Sequence, residues 1–256
     1  MSENGQPTAE RMIVEQSYWD ESYKKLRFFR LPPKDATVEL MQKFIPKAGA
    51  GGTAFEIGCF PGRFLAELGD LGYILNGCDI TPRVITDLSP WLITEGYRVG
   101  EFFGSSYENH TNKKFDLVAS FGFIEHFQNY GDVFLDHCKM VKEDGYLVVQ
   151  FPNFRGSIQH KLHSRFDRDN LANHVVEAMD IEYYAKIIPP DFEILFKGYY
   201  GAFDFWFDDF RKKHNKVTKR ILKLFMKTKP LWRFAKDDER WSPNGAIIAR
   251  RVNTHE

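Results

Sequence analysis

From residue 53 onward the chain alternates short apolar runs with amphipathic ones. "TAFEIG" (53–58) has strand length and ends in a glycine-punctuated turn. The following "GRFLAELGDLG" (62–72) puts Phe64, Leu65 and Leu68 at helical spacing, with Gly69 and Gly72 near its end. The rhythm repeats. "YILNGCDI" (73–80), "YRVGEFFG" (97–104), "FDLVASFG" (115–122) and "YLVVQFPN" (146–153) read as strands. "RVITDLSPWLITEG" (83–96) reads as a helix interrupted around Pro90, and "YGDVFLDHCKMVK" (130–142) as a helix closed by an "EDG" turn. "FEILFKGYYG" (192–201) and "GAIIARR" (245–251) supply the last two strands. Apolar strands alternating with helices predict a doubly wound, mostly parallel seven-stranded α/β sheet covered on both faces.

Upstream, Val38, Met41, Phe44 and Ile45 recur at helical spacing, with Asp35 as the cap and Pro46 as the stop. Residues 10–30 read as one or two helices, and residues 1–9 as disordered. Residues 1–46 are thus expected to form a helical lid segment ahead of a domain at 47–256. Polar, His- and Arg-rich sequence at 153–190 and the stretch 202–243 break the α/β rhythm and are expected to shape an acceptor site.

The turn after the first strand carries the first chemical signal. In "AFEIGCFPGRF" (54–64), Gly58 and Gly62 can adopt positive φ and let a ligand approach the backbone. Asp79 ends the next strand, about 20 residues on, where a carboxylate can accept both hydroxyls of a ribose. Glu56 argues against a dinucleotide, because a carboxylate at that place repels a pyrophosphate. It suits a ligand with an ammonium group instead.

"EIGCFPG" followed by "CDI" resembles the class I S-adenosylmethionine-dependent methyltransferases, whose first motif approximates E/D-x-G-x-G-x-G. "FGSSYEN" (103–109), "FDLVASFGFIEHF" (115–127) and "MVKEDGYLVVQFPN" (140–153) match further stretches of the small-molecule branch in the right order. The resemblance spans roughly 35–200, with the last strand fitting the family's terminal strand. It implies S-adenosyl-L-methionine as cofactor. By family position, Glu56, Gly58 and Gly62, with Cys59 and Phe60 between them, serve the methionine end. Asp79 holds the ribose, Ile80 packs on adenine, Ser105 makes the adenine-side polar contact, and Phe121 and Gly122 line the sulfonium. Phe60 departs from the family's usual glycine, so position 60 must hold negative φ or accept strain.

Methyl transfer to a hydroxyl benefits from a general base. His126 in "EHF" and His174 in "NLANHVVEAMD" are the catalytic candidates, with His160 and His163 in the same polar insert behind them. The competing reading of His126 and of Glu125 is structural. Asp167, Asp169 and Asp180 allow metal-assisted chemistry, but their spacing is not diagnostic and no metal is expected.

Composition adjusts this picture at two points. Lys plus Arg equals Asp plus Glu, so no global charge points to nucleic acid. Yet residues 211–236 hold eleven Lys or Arg and no acid, with Val217, Ile221, Leu224 and Phe225 at helical spacing. A basic amphipathic segment can contact anionic lipid or a phosphorylated substrate. Three cysteines without paired spacing suit a reducing compartment, and no run approaches the roughly 18 apolar residues of a membrane span. The expectation is a cytoplasmic enzyme, or one peripheral to the inner membrane surface. "YWDESY", "PGRFLAELGDLGY" and "SPNGAIIARR" resemble bacterial methyltransferases encoded among surface-polysaccharide genes, which implies a saccharide, sugar-nucleotide or lipid-linked acceptor. Two other classes stay open: a methyltransferase of RNA or protein, and a non-catalytic S-adenosylmethionine-binding protein.

Overall fold

The seven expected strands form one sheet in the computed structural model, which describes residues 12–24, 26–205, 219–220, 223–224, 227–232 and 234–252. They are β1 (Thr53–Ile57), β2 (Ile74–Asp79), β3 (Val99–Gly104), β4 (Phe115–Phe121), β5 (Val141–Pro152), β6 (Phe192–Tyr200) and β7 (Asn244–Arg251). Their spatial order is β3-β2-β1-β4-β5-β7-β6. The first five run parallel, and β7 inserts antiparallel between β5 and β6.

Helices cover both faces because alternate residues of each strand point oppositely. Phe55, Ile57, Val118, Leu147, Val149 and Ile247 join one buried cluster, with residues of α5 (Tyr130–Met140) and α8 (Ile181–Ile187). Ala54, Leu75, Leu117, Ala119, Val148 and Ile248 join the other, with residues of α2 (Ala36–Phe44), α3 (Arg63–Asp70) and α4 (Ser89–Thr94). Asp35 caps α2 as expected, its Oδ1 accepting from Thr37 N at 2.9 Å and Val38 N at 3.3 Å.

Local differences from the sequence reading have physical causes. Residues 10–30 hold one described helix, α1 (Gln16–Tyr23), followed by an extended segment. The interruption near Pro90 is a π-helical turn (Val84–Leu88) that runs into α4, with the proline in its first turn. "EDG" does not separate α5 from the next strand. It lies inside β5, where the register against β4 shifts and Asp144 takes φ 60°. The polar insert builds α6 (Ser157–Phe166), α7 (Arg168–Ala172), a 3₁₀ turn (Val176–Met179) and α8. Residues 1–9 and most of the basic segment, including Val217, Ile221 and Phe225, lie outside the described residues. No helix of the described residues is long and apolar enough to cross a membrane.

Candidate active site at the ends of β1 and β4

The strand order reverses between β1 and β4, and a crevice opens beyond their carboxyl ends. The residue after each strand is a glycine with positive φ: Gly58 at 70° and Gly122 at 64°. A Cβ on Gly58 would collide with the Phe123 ring, so the β1 turn and the β4 turn approach each other closely there. Gly62 (φ 81°) caps α3 in the left-handed conformation, with Leu88 against it.

Asp79 faces this turn from the end of β2. Its Oδ2 accepts from Phe60 N at 3.2 Å and its Oδ1 from Thr81 N at 3.0 Å. Burial raises its pKa to about 6, against the pull of these N–H groups. Glu56 is buried with Oε2 unpartnered. Burial pushes its carboxyl well above the usual range; Arg63 opposes that shift and Asp79 adds to it.

Two cavities share this crevice. The first, ≈ 430 Å³, is lined by Asp79, Ile80, Ser105, Tyr107, Gly58 and Gly122, under Trp19 and Tyr23 of α1. Ser105 Oγ lies 2.8 Å from His110 Nε2. The second, ≈ 660 Å³, is lined by Glu56, Gly62, Arg63, Phe121, Gly122, Glu125, His126 and His174, with Gln150, Asn170, Asn173, Asp204 and Asn244 around its wall. Gly58, Gly122, His126, Trp19 and Tyr23 line both.

His126 and His174 come together although they sit on different elements, with ring centroids 4.6 Å apart. His126 belongs to a 3₁₀ turn after β4, and its Nδ1 donates to Asn173 O at 2.8 Å. His174 follows α7 in a turn, and its Nδ1 donates to Asn170 O at 2.6 Å. Burial, then the neighbouring His174, lowers the His126 pKa to about 3, so its ring is neutral near pH 7. Glu125 is fully buried with both carboxylate oxygens unpartnered, and burial raises its pKa to about 8.

The other expected residues divide between the cavity wall and the core. Cys59 lines neither cavity. Its side chain is wholly buried and its thiol packs on Gly77 of β2, because the turn rotates it into the sheet face. Phe60 is not in the positive-φ region. Its ring is 3% exposed and packs edge-on against Tyr23 and Phe28, under the Arg83 guanidinium. Its backbone N–H donates to Asp79, and the residue lines the second cavity beside Gly62 and Arg63. Phe121 is stacked on Phe64, 4.1 Å between centroids, and leaves one edge on the second cavity. His160 is exposed on α6, and His163 is buried between Phe154 and Phe205. Asp167 binds Asn170, Asp169 is exposed, and Asp180 caps α8, so these acids do not converge. Arg63 and the polar wall at Gln150 and Asn244 were missed; an arginine opening a helix after a glycine turn is the one sequence signal that could have found Arg63.

Residues 27–186, more than half the chain, match the sequence family described as methyltransferase domain. The chain belongs to this methyltransferase family. The matched span carries β1 to β5 and both glycine turns, and leaves out α1, β6 and β7. No curated protein matches the sequence at a significant level. Among solved structures, the chain resembles the methyltransferase candidate BH2331 of Bacillus halodurans C-125, with TM-score 0.57 and 16% identity over 84% of this chain and 98% of that one. It also resembles a SAM-dependent methyltransferase of Archaeoglobus fulgidus, at TM-score 0.51 and 16% identity over 91% and 98%. The N-methyltransferase NodS of Bradyrhizobium japonicum WM9, solved with S-adenosyl-L-homocysteine, is similar at TM-score 0.52 and 13% identity over 85% and 86%. At these identities the likeness is one of methyltransferase fold.

Proposed function

We propose that this methyltransferase moves a methyl group from S-adenosyl-L-methionine to a hydroxyl of a small polar acceptor, a saccharide or sugar nucleotide. The observation that carries the reading is the pair of adjoining cavities on either side of Gly58 and Gly122, with Asp79 at one end and the Glu125–His126–His174 group at the other. Two features support the fit of the cofactor. Gly122 leaves open space at the crevice, where an added Cβ would meet only Glu125 Oε1 at 3.6 Å, and Glu56 holds a buried oxygen without a partner.

The bound sulfonium supplies a methyl carbon already activated toward displacement. The chain's own task is to align and to exclude water. In this reading Asp79 accepts from the ribose hydroxyls, Ile80 lies on adenine, and Ser105 gives the polar contact beside it. Glu56 attracts the ammonium end, and Arg63 stands by for the carboxylate. The acceptor occupies the second cavity, whose amide and carboxyl groups beside Tyr18, Trp19 and Tyr23 suit sugar hydroxyls and sugar faces. α1 covers the crevice as a lid, which favours a small acceptor over a macromolecule. Three free, buried cysteines suit the cytoplasm. A lipid-linked acceptor would bring the basic segment 211–236 against an anionic surface.

Calorimetry tests the reading. S-adenosylhomocysteine should bind one per chain, and Asp79→Ala should weaken it about 10- to 100-fold, the worth of charged hydrogen bonds. Absence of binding by the unaltered chain would refute it.

A further inference from the structure

We propose that Glu125, His126 and His174 form a divalent-cation site at the floor of the second cavity. One donor atom from each lies within 4.8 Å of the other two, the one such group of His, Cys, Asp and Glu among the described residues. Two imidazoles and one carboxylate are a ligand set for Fe²⁺, Co²⁺, Ni²⁺ or Zn²⁺ rather than for Ca²⁺.

The surroundings are those of a ligand cluster. Each histidine has Nδ1 committed to a backbone carbonyl, His126 to Asn173 and His174 to Asn170. Such second bonds set the tautomer and the ring angle of a metal-bound imidazole. His126 thereby turns Nε2 toward Glu125, 4.0 Å from Oε1. Glu125 carries the independent observation: a carboxyl group at 0% exposure with neither oxygen hydrogen-bonded. A core carboxyl normally finds donors, and a cation is the partner this one is shaped for. The loop bearing His174 is tied to the same turn, because Val175 N donates to Glu125 O at 2.7 Å. Trp19 closes over the His126 ring edge-on, 5.0 Å between centroids. Bound ligand atoms stand about 3–3.5 Å apart when each bond is about 2.1 Å, so the group contracts on loading.

The site is well placed to act on the acceptor. Glu125 Oε1 lies 3.6 Å from where a Cβ on Gly122 would stand, at the passage between the cavities. Three protein ligands leave coordination positions open for hydroxyl groups or water. A hydroxyl held there loses its proton to water more readily. Its oxygen then forms the O–C bond as the C–S bond breaks onto sulfur, and one proton is released overall. This role rests on the proposed methyl transfer; the cation site does not.

Chelator-treated protein titrated with Co²⁺ provides the test, read by visible absorption and equilibrium dialysis. One Co²⁺ per chain should bind, and Glu125→Gln and His174→Ala should each weaken it at least about 10-fold, no less than the loss of a supporting residue costs. Both variants should keep S-adenosylhomocysteine affinity within about twofold, which shows that they are folded. No stoichiometric Co²⁺, or unchanged binding in both folded variants, overturns the site. Co²⁺ binding without S-adenosylhomocysteine binding would retain the site and refute methyl transfer.

Discussion

Asp79 carries two opposed demands at the end of β2. Burial disfavours its charge, while Phe60 and Thr81 N–H groups favour it, and the balance stands at a pKa of about 6. Its carboxylate is therefore available near pH 7 and lost below pH 6. S-adenosylhomocysteine affinity should fall about tenfold between pH 7 and pH 5, and Asp79→Ala should remove that dependence. The stability effect has the opposite sign. The folded pKa is raised above the usual 3.8, so the folded chain holds the extra proton between about pH 4 and 6. This group's contribution is most favourable below that window and is lost as pH rises through it. Asp79→Asn should raise the urea midpoint at pH 7 while weakening the ligand, the trade expected of a binding residue. At this scale the sequence was informative where a role depends on the local backbone. Gly58 and Asp79 stand at consecutive strand ends, and Gly62 opens the helix between them. The direction of the Phe60 ring was not legible, because Tyr23 and Phe28, far away in sequence, decide it.

Elements followed the hydrophobic pattern where burial is two-sided or strictly periodic. β1 and β4 are almost wholly buried, and their short, mostly apolar runs announced them. The bulge in β5 was hidden, since "EDG" has turn composition and its pairing depends on β4. The place of β7 was equally hidden: its antiparallel partners lie far along the chain. So was the meeting of His126 with the Asn173–His174 loop, 47 residues on, which α6 and α7 deliver. α1 is a different case. It buries no residue and has no side-chain cap at its N-terminus; Trp19 against His126, Tyr23 against Phe60 and the Arg83 guanidinium donating to Tyr23 O at 2.7 Å hold it over the crevice. Its amides should exchange fast in the free chain and slow on S-adenosylhomocysteine binding, while β1 and β4 stay protected throughout. Equal, strong protection of α1 in both states would remove its role as a lid.

Across the whole molecule the sheet separates two cores, and each supports a different part of the crevice. On the α3 and α4 side, Leu88 is fully buried and packs on Gly62, directly under the turn that leads from Asp79's partner Phe60 into α3. On the α5 and α8 side, Phe134 is fully buried against Tyr184, 4.9 Å between centroids, whose hydroxyl donates to Ala178 O at 2.5 Å. Truncating either leaves a cavity. Leu88→Ala should cost about 2–5 kcal/mol and Phe134→Ala about 3–5 kcal/mol. In a chain this size each kcal/mol lowers Tm by roughly 2–4 °C. The two variants should separate in binding. Leu88→Ala loosens the glycine turn and should weaken S-adenosylhomocysteine about tenfold, measured well below Tm. Phe134→Ala should leave that affinity within about twofold, because its face reaches the crevice through the Glu125 turn and not through the Asp79 end. Matched losses of affinity at matched losses of stability would mean that the crevice responds to global loosening, and that the two cores do not divide its support.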